Sequence, residues 1–136
     1  QLNFLIGLHK PIIKFDFNDV TFLNTNKSYL ESILLNLLTN SIKYKSDSRK
    51  LKININCSRL DDDTVVLTFG DNGIGIHLDK NRDKIFGLYQ RFHDYSDSKG
   101  LGLYLVKSQV ETMGGTISIE SKVNVGTTFI LTFKNK

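Results

Sequence analysis

The sequence predicts a two-layer α/β sandwich: a mixed sheet of about five strands, one face covered by about three helices. Three observations carry that expectation. Across 28–45 the apolar residues recur at helical spacing. A later run, 51–58, alternates apolar and polar residues as a half-exposed strand does, and 64–69 reads as the strand that returns from it. The chain then closes with a second helix-patterned segment, 103–113, and two alternating runs, 116–120 and 127–133, that read as a hairpin.

With 136 residues the chain fits one domain, 1–136 with a core over about residues 10–134, large enough to bury a core without staples. It opens on Gln1 and holds one internal Met113, so it reads as a fragment of a longer protein. No apolar run approaches the length of a membrane span, and direct membrane contact is not expected. The lone Cys57 excludes an internal disulfide and fits a reducing compartment. The net charge of +4 suits an anionic ligand. No basic helix or aromatic–basic motif points to nucleic acid.

In chain order, 11–17 and 20–23 are short β-prone runs with a turn at Asn18-Asp19, which predicts a hairpin before the first helix. Ser28 and Glu31 read as a capping box. Leu30, Ile33, Leu34, Leu37, Leu38 and Ser41 form the face to be buried, while Asn36, Asn40 and Lys43 share an arc of roughly 60°. Asn is a poorer helix former than Glu or Lys. This polar stripe is therefore either a wet helix face or the lining of a site for a metal-bound phosphate chain, where amide oxygens ligate Mg²⁺ and the lysine meets the anion. Cys57 is in phase with Leu51, Ile53 and Ile55 and so belongs to the core. Asp61-Asp62-Asp63 reads as a solvated hairpin tip.

The run 64–69 delivers the chain into Gly70-Asp71-Asn72-Gly73-Ile74-Gly75-Ile76. An acid at a strand end followed by two spaced glycines lets the backbone turn and approach a ligand closely. The carboxylate could accept from an exocyclic amine such as adenine presents, or it could cap a glycine-rich turn. A short helix is expected around 83–86. Phe86, Tyr89 and Phe92 follow at three-residue spacing, with Arg91 beside them as a surface charge or a phosphate contact. Lys99-Gly100-Leu101-Gly102-Leu103 opens the next helix, and glycines at a helix start expose N–H groups toward an anion. The spacing fits neither a Walker loop nor a dinucleotide fingerprint. Gly114-Gly115 ends that helix.

Five segments occur in order: Asn36-Leu-Leu-Thr-Asn40-Ser-Ile-Lys43-Tyr44, Asp71-Asn-Gly73-Ile-Gly75-Ile76, Ile85-Phe86, Gly100-Leu-Gly102-Leu103 and Gly126-Thr127. Together they resemble the N, G1, F, G2 and G3 boxes of the ATP-binding domain of bacterial sensor histidine kinases, whose fold also serves gyrase, heat-shock chaperones and mismatch-repair ATPases. The resemblance runs from about residue 10 to the end, and the wording around 84–93 and 100–107 is similar to sensor kinases of Bacteroidetes-type bacteria. It implies ATP and Mg²⁺ as cofactors, with the metal on Asn40 and shared by Asn36. Lys43 and Tyr44 would meet the phosphates or the nucleotide edge. Asp71 would accept from the adenine amino group, with Gly73, Gly75 and Ile76 shaping the pocket and Thr127 assisting through water. Phe86 and Tyr89 join the nucleotide-site set, Lys99 and Gly100 to Leu103 would cradle phosphates, and Arg91 would stabilise the transferring charge. In ATPase relatives a Glu stands at the position that looks like Asn36; an amide is a poor base, so slow hydrolysis follows.

The chain departs from the family pattern at Ser98-Lys99 in place of Gly-Thr, at Gly70 where an acid is common, and in the short lid between Phe92 and Gly100. His9-Lys10-Pro11 lacks the acidic residue that follows a phosphoacceptor histidine. The resemblance therefore implies a catalytic domain, cytoplasmic and monomeric alone, that supplies the γ-phosphoryl to a histidine on a missing dimerisation domain. Its parent would be a homodimer, with an inner-membrane anchor open, feeding a response regulator. The alternatives are a degenerate docking or nucleotide-sensing module and a related ATPase.

Overall fold

The fold is built on a five-stranded sheet, order β1-β2-β3-β5-β4, in a computed structural model that describes residues 7, 10–17, 26–82, 84–87 and 102–134. The strands are β1 (Ile12–Asp16), β2 (Lys52–Arg59), β3 (Thr64–Asp71), β4 (Thr116–Lys122) and β5 (Gly126–Lys134). The helices are α1 (Lys27–Lys43), the one-turn α2 (Leu78–Asn81) and α3 (Gly102–Thr112). All neighbouring strands are antiparallel except β1 and β2, which run parallel with Ile13 beside Ile53 and Phe15 beside Ile55. The sheet is mixed, as expected.

Side chains alternate across a strand, so the odd-numbered residues of β2, β3 and β5 share one face. Ile53, Ile55, Cys57, Val65, Leu67, Phe69, Phe129, Leu131 and Phe133 are all buried there. Ile33, Leu37 and Leu38 of α1 and Leu103, Val106 and Val110 of α3 bury their apolar stripes against that face, and the two helices also pack on each other. Burying a side chain of this size contributes about 1.5–3 kcal/mol. The opposite face is polar along β2, where Lys52, Asn54 and Asn56 are exposed. Cys57 is a core residue, its thiol pushed up by burial.

Several boundaries differ from the sequence expectation. The cap of α1 is Asn26, whose Oδ1 accepts the Tyr29 N–H at 3.0 Å, so Ser28 and Glu31 lie inside the helix and form no capping box. Glu31 instead stands 4.0 Å from Lys27, an exposed pair worth little. The helix stops at Lys43, with Tyr44 as its cap. β1 is not the first arm of a hairpin; its partner is β2, on the far side of α1. The turn expected at Asn18-Asp19 and the run 20–23 lie outside the described residues. The helix expected around 83–86 forms earlier, as α2, and Lys84 to Phe86 follow as a turn. The Asp61-Asp62-Asp63 tip is a turn, closed by Leu60 N–H on the Thr64 carbonyl at 2.9 Å. Helix α3 closes on the two glycines, with the Gly114 and Gly115 N–H groups on the carbonyls of Glu111 and Val110.

Candidate functional site

The end of β3, the loop after it, the polar stripe of α1 and the start of α3 meet at one end of the sheet. Asp71 is the last residue of β3 and lies beside Thr127 of β5. Its Oδ2 accepts the Ser41 hydroxyl at 2.7 Å, and its Oδ1 accepts the Gly73 N–H at 2.9 Å. Burial pushes its carboxyl up, against the pull of Ser41, Gly73 and Thr127, which favour the charged form. The result is a carboxylate held by Ser41 and Gly73, with the Thr127 backbone also favouring its charge, in a poorly solvated place. Such a group gains from a ligand that brings a further N–H.

The loop after Asp71 is shaped by close approaches that need glycine. A side-chain carbon at Gly73 would stand 2.6 Å from the Tyr44 carbonyl oxygen. Gly75 has φ +78°, and a side-chain carbon there would stand 2.2 Å from the Lys122 carbonyl oxygen. Tyr44 is buried, and its carbonyl accepts the Ile74 N–H at 2.9 Å, so the end of α1 is tied to this loop. Ile76 is buried and its N–H donates to Ser121 Oγ at 2.8 Å. Ser121 Oγ also donates to the Gly126 carbonyl at 2.9 Å and lies 2.8 Å from Thr127 Oγ1. Thr127 is buried and pairs with Asp71 across β3 and β5, its backbone N–H favouring the charged carboxylate.

On α1, Asn36, Asn40 and Lys43 are each half-buried, unlike the exposed Lys27, Ser28 and Glu31 of the first turns. Asn36 Nδ2 donates to the Ser32 carbonyl at 3.0 Å. A side-chain carbon at Gly102 would stand 3.4 Å from Asn36 Oδ1, which places the start of α3 against this stripe. The N-terminal end of α3, with its N–H groups and positive dipole, therefore lies beside the Asn36 amide, and Asn40 and Lys43 continue the same stripe along α1. A helix N-terminus favours an anion and amide oxygens are hard donors of the kind Mg²⁺ takes, with Asn40 and Asn36 as the residues that would hold the ion.

Two expected site residues lie mainly in the core. Leu103 is buried under α3, and Phe86 packs edge-on to Phe129, centroids 6.4 Å apart, with Lys107 Nζ 5.8 Å from its ring centroid. Tyr89, Arg91, Lys99, Gly100 and Leu101 lie outside the described residues, as does the expected lid. Three residues were not assigned to the site from sequence: Ser41, Arg49 and Ser121. Ser41 and Ser121 had a readable signal, a hydroxyl at a core-facing position of its element. Arg49 had none.

Comparison with known proteins gives this arrangement its family. The histidine kinase-, DNA gyrase B- and HSP90-like ATPase family matches residues 25–136. The heme sensor protein HssS of Staphylococcus saprophyticus is 32% identical over 123 residues, 90% of this chain and 26% of that protein. The sensor protein RprX of Bacteroides fragilis is 35% identical over 118 residues, 84% of this chain and 22% of that protein. The chain thus spans about a quarter of the length of these relatives. The solved structure of the mycobacterial sensor histidine kinase MprB superposes with a TM-score of 0.81 at 20% identity, covering 99% of this chain and 91% of that one, which shows a shared fold. The chain belongs to the histidine kinase-, DNA gyrase B- and HSP90-like ATPase family, and within it has the build of the ATP-binding catalytic domain of the sensor histidine kinases.

Proposed function

We propose that this domain binds Mg-ATP at the end of β3 and supplies the γ-phosphoryl to a histidine on a separate dimerisation domain. The observation that carries the reading is Asp71, a poorly solvated carboxylate fixed by Ser41 and Gly73 at the mouth of a glycine loop. An adenine amino group offers the N–H that this carboxylate lacks, and Gly73, Gly75, Ile76 and Thr127 shape the space around the base. Toward α1, Lys43 and the start of α3 meet the phosphates, with Arg91 and the segment 99–101 completing the phosphate end. Bound Mg²⁺ would neutralise phosphate charge there, on Asn40 and Asn36.

Asn36 also decides what the site does not do. An amide cannot take a proton from water at neutral pH, so hydrolysis stays slow and the phosphoryl group waits for an imidazole acceptor. The acceptor belongs to the dimerisation helices of a homodimeric parent, which passes the phosphoryl group to a response regulator. Among the described residues no helix is long and apolar enough to cross a membrane.

The test is phosphoryl transfer in trans. With γ-labelled ATP and the parent's dimerisation domain, label is expected on that domain in acid-labile, base-stable form, at a rate far above release of free phosphate. Rapid steady release of phosphate with no labelled acceptor contradicts the proposal and favours an ATPase.

A further inference from the structure

Arg49 grips the back of the glycine loop. It lies in the connection between α1 and β2, where Ser46 Oγ accepts the Ser48 N–H at 3.1 Å and lies 2.8 Å from Ser48 Oγ, an ordered turn that presents the side chain. Arg49 Nε donates to the Asn72 carbonyl at 2.7 Å. Its Nη2 donates to the Gly73 carbonyl at 2.8 Å and to the Asn124 carbonyl at 2.9 Å. Among the described residues no carboxylate pairs with it. A planar guanidinium holds its donors in one fixed fork, and here the fork joins two consecutive loop carbonyls to the turn between β4 and β5.

The rest of the loop is tied down as well. Asn72 Oδ1 accepts the Lys52 N–H at 2.8 Å and its Nδ2 donates to the Lys50 carbonyl at 2.9 Å. Asn124, at φ 66°, donates its N–H to the Ile74 carbonyl at 2.7 Å. The carbonyls of Asn72, Gly73 and Ile74 are thus all taken up by protein donors, two of them by Arg49. Removing the fork frees two consecutive carbonyls and unlinks the loop from the β4–β5 turn. A loop that must then be ordered by its ligand binds that ligand more weakly.

We propose that Arg49 is a positioning residue for nucleotide binding: it holds the Asp71–Gly75 loop in its binding shape before the base arrives. This rests on the nucleotide reading above. Because Arg49 acts on the base end and not on the phosphates, its loss weakens ADP and a non-hydrolysable ATP analogue by the same factor, about tenfold. Arg49→Lys keeps the charge without the fork and gives an intermediate loss.

The experiment is titration of wild type, Arg49→Ala and Arg49→Lys with Mg-ADP and with the analogue, alongside amide hydrogen exchange of Gly73 and Gly75 without nucleotide. The expected result is equal weakening of both nucleotides, faster exchange at the two glycines, and partial rescue of Arg49→Ala by methylguanidinium but not methylammonium. Wild-type affinity and exchange in a folded variant overturn the proposal, as does a loss confined to the ATP analogue. If Arg49→Ala does not fold, Arg49→Lys carries the test. If wild type binds neither nucleotide, the ATP reading fails while the exchange rates still decide whether Arg49 holds the loop.

Discussion

Asp71 answers two opposed demands. A ligand-binding carboxylate must be charged and short of partners, whereas a folded chain prefers a buried carboxyl neutral. Its raised pKa favours the protonated group in the fold. That contribution to stability is complete below the ordinary value of 3.8 and is lost as pH rises through the raised folded-state value. At about pH 7 the ionised group is therefore a cost to the empty domain. Asp71→Asn keeps an acceptor for the Gly73 N–H and a donor toward Ser41. It is expected to unfold at a higher temperature than wild type near neutral pH, the gap closing as pH falls toward 4. Thermal unfolding across that range checks it, and a gap that does not narrow on acidification contradicts the burial argument.

Much of the site was legible residue by residue, because close approach and polarity leave marks in sequence. Gly73 and Gly75 stand where side chains would strike carbonyl oxygens, and Asp71 sits between them and a strand. Ser41 was readable only as one more member of the buried face of α1. The structure shows that a hydroxyl at such a position has a partner to satisfy, here Asp71. Ser121 and Thr127 follow the same rule on β4 and β5. Arg49 sits in a polar turn whose composition says nothing about what lies across from it. Its three acceptors come from residues 23, 24 and 75 positions away.

Among the elements, α1 matters most, since one face enters the core while its flank lines the site. Its start is set by Asn26, whose side chain satisfies one of the first N–H groups. Asn26→Ala is expected to destabilise the domain by about 0.5–2 kcal/mol, whereas Ser28→Ala, inside an exposed first turn, is expected to change it by less than about 0.5 kcal/mol. Denaturant unfolding of the two variants separates the caps, and a larger cost at Ser28 contradicts the Asn26 assignment. The capping box was misplaced because the Ser28–Glu31 spacing is a local match that the nearby Asn26 pre-empts. The strand patterns of β2 to β5 were legible because one face is wet and the other buried. The partner of β1 was not. A tight turn is written in adjacent residues, but a parallel pairing across a whole helix depends on which face α1 covers.

At the scale of the molecule, one sheet face and two helices bring together the polar flank of α1, the loop after β3, the first residues of α3 and the turn between β4 and β5. Each segment has a local reason to exist, and their meeting at one end of the sheet is the basis of the proposed nucleotide site. The family match and the shared fold account for the architecture, while the chemistry rests on Asp71 and the amides of α1. The measurement that tests this most directly is calorimetric titration of wild type and Asp71→Asn with a non-hydrolysable ATP analogue and Mg²⁺. Binding by wild type in the micromolar range that is lost in a folded Asp71→Asn variant is the expected result. No binding by the folded wild-type domain, or equal binding by both proteins, contradicts the claim that this carboxylate holds the base.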